Sequence, residues 1–209
     1  MVRKKIKPQS YHHGNLPDAL IREALALIDE KGVEGFSMRE AARNVGVDPA
    51  AAYRHFADKS ALLAAVARQG FSRLAREMEH SQQHKVGARE RFQSIALTYV
   101  NFAASHRSQF RVMFGPYGAG RSDGVEVRGV GARGLTPYEI LIEGLAELKR
   151  AGLLSTEVGQ AALPAWSMVH GLSMLLVDGV WPSQSAEVLQ QEVERVITLL
   201  LRSLELPTN

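Results

Sequence analysis

The stretch from Ser37 to Lys59, Ser-Met-Arg-Glu-Ala-Ala-Arg-Asn-Val-Gly-Val-Asp-Pro-Ala-Ala-Ala-Tyr-Arg-His-Phe-Ala-Asp-Lys, constrains this chain more than any other, because it carries the punctuation of two short helices and the start of a third. Ser37 followed three residues later by Glu40 is the pattern of a capping box, in which each side chain satisfies a backbone N–H of the new helix. Ala41 and Ala42 leave room for a close helix crossing, and Gly46 can take the left-handed conformation that ends a helix and turns the chain. Asp48 and Pro49 then fit the N-cap and first position of the next helix, since Asp accepts from free N–H groups and Pro needs no partner for its own nitrogen. The spacing predicts a helix-turn-helix, with a further helix opening at Asp58.

The remaining sequence reads as helix throughout. Leu16, Leu20, Ala24, Leu27 and Ile28 recur at three- and four-residue steps between Asn15 and Lys31, and Gly32 closes that helix. Further helices are predicted from Asp58 to about His80, over Val86–His106, over Ser108–Phe114, from Thr136 and Pro137 to a stop at Gly152, after a cap at Ser155 or Thr156, and over about Ala186–Leu204. Pro164 should kink the penultimate helix or delay its regular start. The stretch Ala161–Val177 is apolar on nearly every side and needs covering from more than one direction, while Leu189, Val193, Val196, Ile197, Leu200 and Leu204 form a broad stripe on the last helix. The expected fold is all-α, with roughly nine helices. It comprises a flexible basic arm over 1–14, a three-helix helix-turn-helix domain over 15–60 and a larger helical domain over 61–209.

Composition narrows the chemistry. The absence of cysteine excludes disulfides, thiolate catalysis and cysteine-ligated zinc. A formal net charge of +3 is too small to identify a nucleic-acid partner, but Arg3, Lys4, Lys5 and Lys7 bias positive charge towards the end that holds the motif. No apolar run follows that basic start and the longest apolar stretch is interrupted, so the expectation is a cytoplasmic protein with no membrane partner. His12 with His13, and His80 with His84 at i, i+4 spacing, do not complete a metal set. The glycines between Gly115 and Gly134 mark a loop without the Lys-Ser or Lys-Thr pair of a phosphate cradle. No nucleophile, base and orienting acid stand at informative spacing. Neither a cofactor nor an enzymatic activity is expected.

A helix-turn-helix lays its second helix in the major groove of DNA. Ala50, Ala51 and Ala52 leave the front of that helix nearly bare, which permits close approach to base edges and thymine methyls. Arg39 and Arg54 are candidates for guanidinium contacts to bases or phosphates, and Tyr53, His55 and Lys59 for phosphate contacts. The run Phe36-Ser-Met-Arg-Glu-Ala-Ala-Arg-Asn-Val-Gly-Val, followed by Ala52-Tyr-Arg-His-Phe-Ala-Asp-Lys-Ser-Ala-Leu-Leu, resembles the N-terminal DNA-binding domain of the TetR family of bacterial transcriptional regulators over about Asn15–Phe71. The resemblance implies that Ser37, Arg39, Tyr53, His55 and Lys59 meet DNA. Many members open the recognition helix with Ser-x-Gly-Thr, whereas this chain has Asp48-Pro-Ala-Ala-Ala, so the family's Thr contact has no counterpart.

The segment Ala165-Trp-Ser-Met-Val-His-Gly-Leu is similar to the subgroup named for a Trp-His-Gly signature, and so is the opening Tyr11-His-His-Gly-Asn-Leu. The resemblance implies a dimer-forming domain that senses a small-molecule effector. Trp166 and His170 share a helix face at i, i+4, and Gly171 would let a helix or ligand approach the backbone. An apolar pocket with a few polar anchors is expected from Tyr99, Phe102, Phe110, Phe114, Trp166, Met168, His170 and Met174. The reading is a ligand-responsive repressor that binds a near-palindromic double-stranded operator as a homodimer joined through its last two helices. The alternative is a helical small-molecule binding protein whose DNA binding is vestigial.

Overall fold

A computed structural model describes residues 16–116, 118, 129–181 and 185–205, with the backbone alone for 203–205. The basic arm, the Tyr11-His12-His13-Gly14 segment and most of the glycine-rich loop lie outside these described residues. Among the described residues there are nine helices and no strand. They form two units, one ending at Leu63 and the other beginning at Ala64.

The N-terminal unit packs three helices, α1 (Leu16–Gly35), α2 (Met38–Val45) and α3 (Pro49–His55), each against the other two. Gly32 has φ 74°, which breaks the regular geometry of α1 three residues before its end. Ser37 caps α2 by accepting from the Glu40 N–H at 3.2 Å, but the reciprocal half of the predicted capping box is missing. The Glu40 carboxylate instead accepts from Lys31 Nζ, joining α2 to the end of α1. Gly46 takes φ 84° and donates to Ala42 and Arg43, ending α2 as expected from its freedom at positive φ. Asp48 caps α3 through the Ala50 N–H at 2.8 Å, with Pro49 at the first position. Leu20, Ala24, Phe36, Ala41, Ala42 and Ala52 fill the small core.

Asp58 opens α4 (Lys59–Ser81) by accepting from the Ala61 N–H. In the second unit, α5 (Ala88–Ser105) is the hub, packed against α6 (Arg107–Phe114), α7 (Pro137–Arg150), α8 (Val158–Val177) and α9 (Ala186–Glu205). Phe92, Ile95, Ala96, Tyr99, Val100, Phe102 and Ala103 all point inward from it. Full burial of one large apolar side chain contributes roughly 1.5–3 kcal/mol, so this one face supplies much of the unit's cohesion. Arg91 ties the start of α5 to its surroundings, donating to Glu147 on α7 at 2.7 Å and to the Lys85 and Val86 carbonyls.

Two local expectations change, the cap of α8 and the place of His84. Helix α8 starts at Val158 behind Glu157, not behind Ser155 or Thr156, and the Thr156 hydroxyl donates to the Gln160 side chain. Pro164 sits inside α8. His84 follows the end of α4 at φ 68°, so it has no helical i, i+4 relation to His80. Helix α8 is long and apolar enough to cross a membrane by length and composition, but it packs on α5, α6, α7 and α9.

Thr136 fixes the start of α7 through a complete capping box. Its hydroxyl accepts from the Glu139 N–H at 3.2 Å, and the Glu139 carboxylate accepts from the Thr136 N–H at 2.7 Å. Replacing Thr136 with Ala should lower unfolding free energy by about 1 kcal/mol in urea titration, whereas Thr136→Ser should retain most of it.

Candidate nucleic-acid interface and ligand cavity

The outer face of the N-terminal unit is set by the way α3 packs. Ala51 and Ala52 turn into the core at 8% and 1% exposure, so Ala51 does not belong to the bare front expected from the alanine run. Helical periodicity, which cannot place three consecutive residues on one face, is the reason. Ala50, Tyr53, Arg54 and His55 are exposed, Tyr53 at 45%. Arg39 is exposed near the start of α2, and so is Ser37, whose hydroxyl oxygen is occupied by its capping bond. Lys59 is half-buried. Its ammonium donates to the Glu34 carbonyl at 3.3 Å and lies 5.2 Å from the centre of the Phe36 ring, which gives it a structural task within the unit.

The second unit contains a cavity of about 210 Å³. Helices α4, α5, α7 and α8 supply its walls, together with Phe114 from the end of α6 and the segment at Gly129 and Thr136. Of the residues expected there, Tyr99, Phe114 and Trp166 line it. The structure places the others elsewhere. Phe110 and His170 stand behind the wall, stacked on one another with ring centroids 5.7 Å apart. Phe102 turns away towards Arg73 and His106, its ring stacked on the His106 imidazole at 4.7 Å. Met168 and Met174 are not among the lining residues. Phe71, Met78, Phe92, Tyr138 and Leu141 were not anticipated as lining. Helical periodicity alone does not tell a core position from a cavity wall.

Polar atoms at the cavity are tied to one another. The Tyr99 hydroxyl lies 2.9 Å from His170 Nδ1, and the Trp166 indole N–H donates to the same hydroxyl at 3.4 Å. Burial pushes the Tyr99 phenol upward, opposed by the Trp166 bond, and burial also holds the His170 imidazole below its usual range. Both groups are therefore neutral near neutral pH. With His170 neutral, Tyr99 can donate to Nδ1 and accept from Trp166, which satisfies all three groups.

One wall is fastened by Glu79. Its carboxylate accepts from the Ala132 N–H at 2.7 Å and the Arg133 N–H at 3.1 Å, and Arg133 pairs as well with Glu143 at 2.8 Å. Close by, Gly129 lies so tightly on α4 that an added Cβ would come within 2.4 Å of the Arg68 carbonyl oxygen. A side chain there would force the wall away from the helix.

The N-terminal unit matches the family of bacterial regulatory proteins, tetR family, over residues 20–66, and the second matches the tetracyclin repressor-like C-terminal domain over residues 92–200. The chain belongs to the tetR family of bacterial regulatory proteins. Over 98 residues it is 35% identical to the tetracycline repressor protein class A from transposon 1721 of Escherichia coli, covering 43% of this chain and 44% of that protein. The chain thus spans less than half the length of that curated relative. A protein of unknown function from Rhodococcus sp. RHA1 superposes with a TM-score of 0.75 at 28% identity, covering 95% of this chain and 100% of that one. The regulator FadR from Bacillus subtilis, solved in complex with stearoyl-CoA, shares the fold at a TM-score of 0.66 and 17% identity, over 88% of this chain and 97% of that one. The helix-turn-helix lies within the part of the chain that matches the tetR regulatory family.

The neutral His170 gives a pH dependence. Below its ordinary value of 6.5 the unfolded chain takes up this proton more readily than the folded one. This contribution is therefore full above that pH and is lost progressively as the solution is acidified through it. Denaturant midpoints measured from neutral pH down to about 5.5 should fall more steeply for the parent than for His170→Gln, which cannot titrate.

Proposed function

We propose that this chain is a ligand-responsive repressor that binds a near-palindromic operator as a homodimer and leaves it when a small molecule fills the cavity of the second unit. The observation that carries this reading is the exposed outer face of α3. Tyr53, Arg54 and His55 project from a helix whose opposite side is buried, and Arg39 stands exposed on the preceding helix. Tyr53 is a large aromatic residue left 45% exposed with a hydroxyl at its tip, which suits a contact to the phosphate backbone. Ala50, small and exposed, leaves room for a base edge or a thymine methyl. Ser37 would reach the backbone alongside its capping bond, and Lys59 would act chiefly by fixing the local structure.

Dimerisation through α8 and α9 is supported by apolar side chains left outward on both. Leu163 and Leu175 on α8 are 63% and 46% exposed, and Leu199 on α9 is 59% exposed. A second copy is the occupant proposed for this face, because a two-fold pairing also sets two recognition helices against two operator half-sites. Gly171 on α8 has no atom within 4 Å of where a Cβ would stand, so the backbone is open to a neighbouring helix there. We place the chain with the Trp-His-Gly subgroup on the grounds that Trp166 and His170 meet at Tyr99 beside the cavity. The seat of action would be the cytoplasm, where the DNA is. Coupling would run along α4, which contributes Leu62 and Leu63 to the core and Phe71 and Met78 to the cavity.

Sequencing the genomic DNA retained by the purified protein tests the reading. Enriched, near-palindromic sites are expected, and finding none at moderate salt would favour a binding protein with vestigial DNA recognition. Tyr53→Ala should weaken binding to a recovered site by about tenfold or more, as loss of a single good contact does, without moving the unfolding midpoint. An unchanged affinity would remove Tyr53 from the interface.

A further inference from the structure

We propose that the cavity of the second unit takes a compact, uncharged aromatic molecule of one or two fused rings and rejects anions and cations of the same size. The inference rests on the reading of this cavity as the effector site and deepens it.

Size comes first. An apolar protein cavity of about 150 Å³ holds a benzene molecule. At about 210 Å³ this chamber has room for such a ring with a substituent or a second fused ring. The lining then sets the shape. Phe71, Phe92, Tyr99, Phe114, Tyr138 and Trp166 all contribute rings, and several already pair edge to face, as Phe71 does with Phe114 and Tyr138 with Trp166. Aromatic walls of this kind favour a flat guest that can stack offset or present an edge.

Charge is decided by what the lining lacks. Among the described lining residues there is no Lys, Arg, His, Asp or Glu. Three of the polar groups, on Thr136, Trp166 and Tyr99, are already engaged. The Thr136 hydroxyl lies within the capping box, donating to Glu139 at 2.8 Å while accepting from its N–H. The Trp166 N–H points to Tyr99, and the Tyr99 hydroxyl is shared with His170. Among the described lining residues an anion would meet no cation, and a cation no carboxylate. A buried charge without a partner is strongly disfavoured, whereas a neutral ring loses nothing by leaving water. Tyr138, half exposed, gives one phenol that a ligand hydroxyl could meet.

The test is calorimetric titration of the full-length protein at neutral pH with 2-naphthol, 2-naphthoate and 2-naphthylmethylammonium, which share one ring system and differ in charge. The expected result is 2-naphthol binding at least about tenfold more tightly than either ion. Two variants place the guest: Val169→Phe on α8 and Leu141→Phe on α7 each push a ring into the chamber, and either, if it keeps the parent's unfolding midpoint, should abolish binding. The proposal is overturned if either ion binds as well as 2-naphthol, if 2-naphthol fails to bind below about 1 mM, or if binding survives in a folded blocking variant. Operator affinity followed in the same samples separates the two claims. Binding of 2-naphthol without change in operator affinity supports the ligand class and removes the regulatory role. Release of the operator by an ion that binds more tightly does the reverse.

Discussion

Helix α5 sends seven side chains inward, and four helices are held in place by covering them. This burial is the constraint on which the second unit depends. Because α5 is surrounded, its inward residues cannot all meet close-packed neighbours. Val100, Phe102 and Ala103 are almost wholly buried away from the chamber, whereas Phe92, Ile95, Ala96 and Tyr99 line it. Gly144 on α7 shows how closely the first part of α5 is packed, since a Cβ there would stand 3.0 Å from the Phe92 ring. The chamber therefore lies beside closely packed side chains and is not the sign of a loose core.

The same unit economises on polar groups. Tyr99, His170 and Trp166 come from two helices and satisfy one another, which leaves an apolar interior bounded by a small hydrogen-bonded cluster. Arg111, at the edge of α6, closes the end of α8 by donating to the Val177 carbonyl at 2.7 Å and approaching Asp178 at 3.3 Å. Such contacts fix orientation more than they add stability, because exposed ion pairs contribute little. Together they hold the aromatic side chains of α6 and α8 against α5.

Much of this was legible in the sequence where the physics is local. Gly46, Asp48 and Pro49 act at their own positions, and their roles in turning the chain needed no tertiary information. The amphipathic stripe of α9 likewise matches its buried face, with Leu189, Val193, Ile197 and Leu200 inward. Reading failed where two elements compete for one group. The capping box predicts that Glu40 reaches back to Ser37, but its carboxylate meets Lys31 from another helix. The cavity was half legible for a similar reason. An aromatic residue on an inward face reads alike whether it fills a core, as Phe110 does, or lines a space, as Phe114 does, and only the packing of several helices separates them. The alanine run shows a third kind of limit. Composition suggested a bare helix front, while the turn of the helix buries Ala51 and leaves Ala50 outside.

On this account a space enclosed by α4, α5, α7 and α8 governs whether the helix-turn-helix holds DNA. Filling that space by mutation tests the claim without any effector. The direct measurement is the affinity of Leu141→Trp for an operator site recovered from the genome, compared with the parent protein at the same salt concentration. If occupancy of the chamber drives release, the variant should bind at least about tenfold more weakly while its circular dichroism and unfolding midpoint match the parent's. A folded Leu141→Trp variant that binds the operator as tightly as the parent would contradict the account.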